Sequence, residues 1–129
     1  MLIAFIIDDD IDDQEIFSLV INQISSKVEC VFANDGMFAL EKLKNGSGFT
    51  PSLIFIDMNM PRMNGMQCLA ELRKINRLQN IPIYMYSTHV DKTLVEQCKK
   101  YGATGFIQKY IDLNDLKTDL EKIISYLNT

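Results

Sequence analysis

The sequence predicts an α/β fold in which five parallel strands alternate with five helices. Short runs rich in Ile, Val and Phe recur along the chain, separated by stretches whose apolar residues lie three or four positions apart. This alternation with short connections favours an open parallel sheet that is covered by helices on both faces. Because 129 residues that are 47% hydrophobic suffice for one well-buried core, we expect residues 1–129 to form a single domain.

The individual elements can be placed from these patterns. Strands are expected at residues 4–7, 28–33, 53–57, 82–86 and 105–109. The second helix should stop at residues 46–48, and the fourth should end at residues 99–102, where two lysines precede a tyrosine and a glycine. The core-facing residues of the first, second, third and fifth helices are predicted to be Ile16, Phe17, Val20, Ile21, Ile24, Phe38, Ala39, Leu40, Leu43, Met66, Leu69, Leu72, Ile75, Leu113, Leu116, Leu120, Ile123, Ile124 and Leu127.

Charge and cysteine content exclude several classes of function. The net charge is -4 and the basic residues are scattered apart from one Lys-Lys pair, so we expect no direct binding to nucleic acid. No apolar run is long enough to span a bilayer or to act as a signal sequence, so we expect no membrane insertion and a cytoplasmic protein. Cys30, Cys68 and Cys98 are widely spaced and are interpreted as reduced thiols rather than metal ligands.

Carboxylates end two separate apolar runs. Asp8, Asp9 and Asp10 follow the first predicted strand, and Asp57 ends the third. Because parallel strands deliver the residues beyond them to one edge of the sheet, we expect these groups to converge. Ionised carboxylates about 5 Å apart repel by roughly 3 kcal/mol per pair at an effective dielectric near 20, so such a cluster calls for a cation. Oxygen ligands favour a hard cation such as magnesium.

Two further polar groups are predicted at the same edge, since Ser87 follows the fourth strand and Lys109 ends the fifth. Asp10, Asp12 and Asp13, by contrast, are interpreted mainly as capping and dipole residues of the first helix, because carboxylates favour a helix N-terminus. The predicted site therefore combines carboxylates, a hydroxyl and an ammonium group.

Residues 57–65, with the sequence Asp-Met-Asn-Met-Pro-Arg-Met-Asn-Gly, complete a pattern that resembles the receiver domain of two-component response regulators. The pattern comprises the acidic cluster, this segment, the strand-four hydroxyl and the strand-five lysine in order, and the resemblance covers essentially the whole chain. It implies a flavodoxin-like (βα)5 fold with strand order 2-1-3-4-5. It also implies a phosphorelay protein that receives a phosphoryl group from a sensor histidine kinase or a phosphotransfer protein.

The resemblance implies that Asp57 is the phosphoacceptor and that the site binds Mg²⁺ or Mn²⁺. The implied metal ligands are Asp57, Asp9, the backbone carbonyl of Asn59 and Asp8, the last mainly through a coordinated water. A carboxylate is a weak nucleophile, so such a site has to position the donor and to neutralise charge on the transferring oxygens.

The remaining implied roles concern the bound phosphoryl group. Ser87 would donate a hydrogen bond to it, and Lys109 would pair first with Asp57 and then with the phosphoryl oxygens. The side chains of Asn59 and His89 resemble those that flank the attacking water in receivers, and they are expected to tune dephosphorylation.

The resemblance also predicts how the signal leaves the protein. Phe106 resembles the aromatic residue that reports on the switch, and Tyr110 and Ile111 are expected to extend that output face. We expect a separate output protein and no enzymatic activity beyond the chain's own phosphorylation and dephosphorylation. The chain departs from the family at Tyr110, where receivers usually have proline after the lysine.

Two alternatives stay open on the sequence alone, and a third is disfavoured. If Tyr110 displaced Lys109, the chain would be a receiver-fold binding module that acts without phosphorylation. A small phosphatase of the haloacid dehalogenase type would use Asp8 of Asp8-Asp9-Asp10 as its nucleophile, but residues 57–61 would then be unexplained. A flavodoxin-like electron carrier is disfavoured, because the acidic turn after the first strand would repel a flavin phosphate.

Overall fold

The computed structural model describes residues 2–45, 48–109 and 112–127. The strands are β1 (Leu2–Ile7), β2 (Val28–Ala33), β3 (Leu53–Asp57), β4 (Ile83–Ser87) and β5 (Gly105–Gln108). The helices are α1 (Ile11–Ile24), α2 (Gly36–Lys44), α3 (Gly65–Leu72), α4 (Lys92–Lys100) and α5 (Leu113–Leu127), and a 3-10 turn at Asn76–Leu78 precedes β4. The predicted alternation of strands and helices is confirmed.

The five strands form one parallel sheet in the order β2-β1-β3-β4-β5, as the resemblance implied. The chain passes from β1 outward to β2 and then returns to β3 on the other side of β1. Ile7 of β1 is level with Ile56 of β3, and Asp57 is level with Tyr86 of β4. This reversal of strand order opens a crevice beyond the carboxyl ends of β1 and β3, where ligands bind in open α/β sheets.

Successive strand residues face two separate apolar layers. On β3, Ile54 and Ile56 pack with α2, α3 and α4, whereas Leu53 and Phe55 pack with α1 and α5. All five residues of β3 are buried, which is typical of a central strand in a sheet covered on both faces. The sheet is therefore packed against helices on both faces, and the side chains that follow its strands start from this buried core.

Several element boundaries differ from the sequence prediction. α3 ends at Leu72, so Ile75 lies at the start of the 3-10 turn instead of on the helix. The Arg73 guanidinium donates hydrogen bonds to backbone carbonyls beyond the helix, which holds the chain in this turn. β4 begins one residue after Pro82, since proline has no N–H to donate, and β5 ends at Gln108.

Side-chain caps start four of the helices. Asp10, Asp35, Asn64 and Asp91 each accept a hydrogen bond from a backbone N–H in the first turn of α1, α2, α3 and α4. α2 ends at Lys44, and the stop predicted at residues 46–48 falls largely outside the described residues. Within the described ranges, the structure contains no helix with the length and apolar character needed to cross a membrane.

Candidate functional site

The carboxyl edge of the sheet brings the predicted site residues together. Asp8 follows β1, Asp57 and Ser87 end β3 and β4, and Lys109 follows β5. Sheet hydrogen bonding continues just past the strands, since the Asp8 N–H donates to the carbonyl of Ala33 at 3.0 Å and the Lys109 N–H donates to that of Ser87 at 2.9 Å. These backbone hydrogen bonds therefore fix the Cα positions from which the Asp8 and Lys109 side chains extend.

Three carboxylates form a cluster at this edge. Asp8, Asp9 and Asp57 each offer an oxygen atom, and these oxygens all lie within 4.8 Å of one another. Asp8 and Asp57 are buried, with 0% and 2% exposure, whereas Asp9 is exposed to solvent. An oxygen-only donor set that is open on one side fits Mg²⁺ or Mn²⁺, which retain water ligands and bind carboxylates.

Asp8 is the most deeply enclosed member of the cluster. Its Oδ1 accepts a hydrogen bond from the Asp10 N–H at 2.9 Å, and its Oδ2 accepts one from the Tyr86 hydroxyl. Burial raises the pKa of Asp8 to about 7, although these hydrogen bonds and Lys109 oppose the rise. A cation at this site would remove that penalty by favouring the ionised carboxylate.

Lys109 is the cation that this chain supplies to the cluster. Its Nζ lies 2.8 Å from Oδ2 of Asp13, 3.2 Å from Oδ2 of Asp57 and 3.8 Å from Oδ2 of Asp8. The ammonium also lies 4.8 Å from the centre of the Tyr86 ring, within cation–π range. Burial opposes the charge on Lys109, but the three carboxylates outweigh it and raise the pKa of the ammonium.

Ser87 and Asn59 lie on the other side of Asp57. The Asn59 N–H donates to Oδ1 of Asp57 at 3.0 Å, and its side-chain amide donates to Oγ of Ser87 at 3.3 Å. Ser87 Oγ also accepts from the N–H of His89 at 3.2 Å, which ties the loop after β4 to the site. The His89 ring is exposed and lies 3.0 Å from a carboxylate oxygen of Asp91.

The loop that follows Asp57 is held close to the strand end. The Gly65 N–H donates to the carbonyl of Met58 at 3.1 Å. A Cβ atom on Gly65 would lie 2.4 Å from the carbonyl oxygen of Asp57, so only glycine fits this approach. Arg62 has a φ of 66°, and the Met63 N–H donates to the carbonyl of Pro61 at 2.7 Å, so the loop contains a tight, strained turn.

Of the three predicted output residues, Phe106 is the one that the described part of the chain includes. Phe106 on β5 is half-buried and packs against the apolar layer that includes Leu94 of α4. Tyr110 and Ile111 lie outside the described residues. The presence of tyrosine instead of proline after Lys109 nevertheless leaves the ammonium in contact with Asp57.

The sequence prediction missed two residues of the site, one that contacts Lys109 and one that contacts Asp8. Asp13 was interpreted as a helix-dipole residue, and its carboxylate does lie in the first turn of α1, but it also pairs with Lys109. Tyr86 was interpreted only as part of a buried strand. Its position directly before Ser87 was the signal that the sequence offered, and the structure places it level with Asp57 across the sheet.

A five-stranded α/β sheet with clustered carboxylates, a hydroxyl and a lysine at its carboxyl edge defines the receiver class of signalling domains. The chain belongs to the response regulator receiver domain family, because the sequence model of that family matches residues 4–121. Among its relatives, the two-component response regulator ORR5 of Oryza sativa is 29% identical over 116 residues, which cover 88% of this chain and 85% of ORR5.

Two further comparisons agree with this assignment. The sensor histidine kinase CheAY of Helicobacter pylori is 32% identical over 107 residues, which span 83% of this chain but only 13% of that protein. The chemotaxis response regulator CheY4 of Vibrio cholerae has a solved structure that superposes with a TM-score of 0.82 at 26% identity, covering 95% of this chain and 98% of CheY4.

Proposed function

We propose that this chain is a phosphoacceptor in a two-component phosphorelay and that Asp57 receives the phosphoryl group. The observation that carries the proposal is the position of Asp57, whose Oδ2 lies 3.2 Å from Lys109 Nζ while Asp8 and Asp9 lie close enough to share a cation with it. The donor would be a phosphohistidine of a sensor histidine kinase or of a phosphotransfer protein. Residues 1–129 would act as one receiver unit.

In this proposal the site holds Mg²⁺ or Mn²⁺. Asp9 and Asp57 would bind it directly together with the backbone carbonyl of Asn59, and Asp8 would act mainly through a coordinated water. When bound, the cation neutralises negative charge on the oxygens of the phosphoryl group that is transferred. The three carboxylates fit this role because their oxygens already lie within 4.8 Å of one another.

The chain's own residues would orient the reaction. The Asn59 N–H contacts Oδ1 of Asp57 and Lys109 contacts Oδ2, and together they would orient the carboxylate so that one oxygen meets the incoming phosphorus. That oxygen forms the new P–O bond while the P–N bond to the histidine breaks, and the electron pair of that bond stays on the imidazole. Lys109 and the Ser87 hydroxyl then hold phosphoryl oxygens, a task that suits preorganised donors.

Loss of the phosphoryl group would depend on the neighbouring polar side chains. The Asn59 side-chain amide and the His89 backbone N–H both donate hydrogen bonds to Oγ of Ser87, so both residues lie next to the site. We propose that their side chains flank the attacking water and set how long the phosphoryl group persists. The contact between His89 and Asp91 would restrain the imidazole in this role.

The output of the phosphorylated state would go to a separate protein. Phosphorylation adds roughly -1.5 to -2 charges, and the pull on Ser87 and Lys109 would reposition Phe106 by a steric route, because phenylalanine has no hydroxyl. Tyr110 and Ile111 belong to the proposed output face. Phe106→Ala should keep phosphorylation of Asp57 but lose phosphate-dependent partner binding, and unchanged binding would contradict this part of the proposal.

The test of the phosphoacceptor role is the intact mass after incubation with acetyl phosphate and Mg²⁺, with Asp57→Asn and a chelator as controls. One added phosphoryl group that requires the metal and is lost in Asp57→Asn would support the proposal. No gain with acetyl phosphate, nor with a phosphorylated histidine kinase, would favour the phosphorylation-independent binding module instead. The contact between Lys109 and Asp57 favours the phosphoacceptor, since that module was suggested by a displaced lysine.

A further inference from the structure

Lys109 is shared between the proposed phosphoacceptor and a carboxylate on α1. Its ammonium lies 2.8 Å from Asp13, closer than its 3.2 Å contact with Asp57. The side chains are partly enclosed, with 19% exposure for Lys109 and 28% for Asp13, so bulk water screens the pair only in part. Among the ion pairs of the described residues, Lys109 is the only cation that reaches this cluster.

A phosphoryl group on Asp57 would need the same ammonium. An ammonium has three N–H donors, and Asp13 occupies one of them with a charge-assisted hydrogen bond. The Asp13 carboxylate also places a negative charge beside the position that a phosphoryl dianion would take. Both effects weaken the interaction between Lys109 and the phosphoryl group.

We infer that Asp13 is a positioning residue that competes with the phosphoryl group for Lys109. This inference rests on the proposed phosphoacceptor role of Asp57. Asp13 holds the Lys109 ammonium on the α1 side while Asp57 is unphosphorylated. The phosphoryl group can bind Lys109 fully only if the contact between Lys109 and Asp13 loosens, and this cost lowers the stability of the phosphorylated state. The residue thus biases this chain toward the unphosphorylated state.

The charge of Asp13 can be removed without removing its hydrogen bond. In Asp13→Asn the amide oxygen still accepts from Lys109, so the lysine stays oriented while the competing charge is lost. Asp12→Asn is the matched control, because Asp12 lies in the same first turn of α1, carries the same charge and is exposed. Both variants remove one charge from the helix N-terminus, so their difference isolates the contact with Lys109.

The experiment measures the beryllofluoride concentration at half-saturation in the presence of Mg²⁺, followed by the 19F NMR signal of the bound fluoride. Beryllofluoride mimics a phosphoryl group on a carboxylate and gives an equilibrium readout. We expect Asp13→Asn to bind it about tenfold more tightly than Asp12→Asn, because the competing negative charge beside Lys109 is lost while the hydrogen bond to Lys109 is kept. Asp13→Glu retains the charge and should stay within about twofold of the unmodified protein.

The outcomes separate this inference from the proposed function. Equal binding by Asp13→Asn and Asp12→Asn, or weaker binding by Asp13→Asn, would overturn the competing role of Asp13 while the phosphoacceptor role stands. Absence of binding in the unmodified protein, together with no phosphoryl gain from acetyl phosphate or from a histidine kinase, would overturn the proposed function itself. Urea unfolding without beryllofluoride shows whether a variant is folded, and a purely structural role of Asp13 would alter that midpoint without tighter binding.

Discussion

The hydroxyl of Tyr86 donates a hydrogen bond to the carboxylate of Asp8, although 78 residues separate the two in the chain. Both side chains are buried, with 1% and 0% exposure. Tyr86 also lies beneath the Lys109 ammonium, so one aromatic side chain contacts both an acidic and a basic member of the site. This arrangement gives the ionised Asp8 a donor that compensates in part for its burial.

Tyr86→Phe is expected to destabilise the protein by about 1 to 2 kcal/mol at pH 8, since it removes a hydrogen bond to a buried charged group. The pKa of Asp8 should rise further, because the lost hydrogen bond favoured the ionised form. Urea unfolding monitored by circular dichroism measures the first effect. Tyr84→Phe is the control, since Tyr84 lies on the same strand and packs its ring near Phe55. Equal losses in both variants would contradict the specific role of Tyr86.

The stability of the metal-free protein should depend on pH through Asp8. Its pKa is about 7 in the folded protein against an ordinary value of 3.8, so the folded state binds more protons between these values. The contribution of Asp8 to the free energy of unfolding should therefore fall as the pH rises from about 4 to about 7, by roughly 2 to 4 kcal/mol in total, and then level off.

Asp8→Asn should remove this dependence. In a chelator at pH 8 the variant is expected to be more stable than the unmodified protein, because it no longer buries an ionised carboxylate beside Asp57. Saturating Mg²⁺ should narrow the difference, since the unmodified protein gains stability by binding the cation. Urea titrations at pH 5 and pH 8 test this. If Asp8→Asn is less stable than the unmodified protein at pH 8 without metal, burial of the ionised Asp8 does not destabilise the fold and the prediction is wrong.

Gly65→Ala is expected to disrupt the loop after Asp57. The added Cβ would lie 2.4 Å from the Asp57 carbonyl oxygen and 2.7 Å from the Met58 Cα, and backbone atoms cannot move aside as a flexible side chain does. We expect a loss of about 3 kcal/mol or more in the free energy of unfolding, together with weaker Mg²⁺ binding.

Gly36→Ala is the matched control for that substitution. Its Cβ would meet the Met63 Sδ at 2.8 Å, which is the end of a flexible side chain, and alanine favours the helix that begins there. Its effect should stay below about 1.5 kcal/mol. A loss at Gly36 as large as that at Gly65 would contradict the distinction between a backbone and a side-chain clash.

Arg73→Met is expected to destabilise the fold by about 2 to 3 kcal/mol. The guanidinium of Arg73 donates to the carbonyls of Gly102, Leu78 and Ile81 at 2.7 to 2.9 Å, and so joins the end of α3 to the turns that lead into β4 and β5. Methionine retains the apolar stem but leaves these carbonyls without the donor.

Arg77→Met provides the comparison, because Arg77 is exposed and donates to the carbonyl of Phe49 at 3.0 Å. Its loss should cost less than about 1 kcal/mol. Guanidinium chloride unfolding of both variants measures the difference. Equal stabilities for the two variants would show that the partly buried hydrogen bonds of Arg73 contribute little.

The amino-acid sequence was sufficient to predict the alternation of elements and the edge at which the polar residues meet. Apolar periodicity is a local property, and β3 shows why it was informative, since residues 53–56 are buried in a sheet covered on both faces and are all apolar, and only the strand's last residue is polar. The convergence of Asp8, Asp9 and Asp57 followed from parallel strands alone. The strand order came from the family resemblance, because periodicity does not state which strands are neighbours.

Only the tertiary structure determined which groups share the Lys109 ammonium and which donor reaches Asp8. Asp13 lies on a helix whose first turn attracts carboxylates in any case, so its sequence position did not distinguish a dipole residue from a partner of Lys109. Tyr86 contacts Asp8 because β1 and β4 flank β3 in the sheet. Such contacts depend on three-dimensional distance and side-chain direction, and these are set by packing across elements that are far apart in the chain.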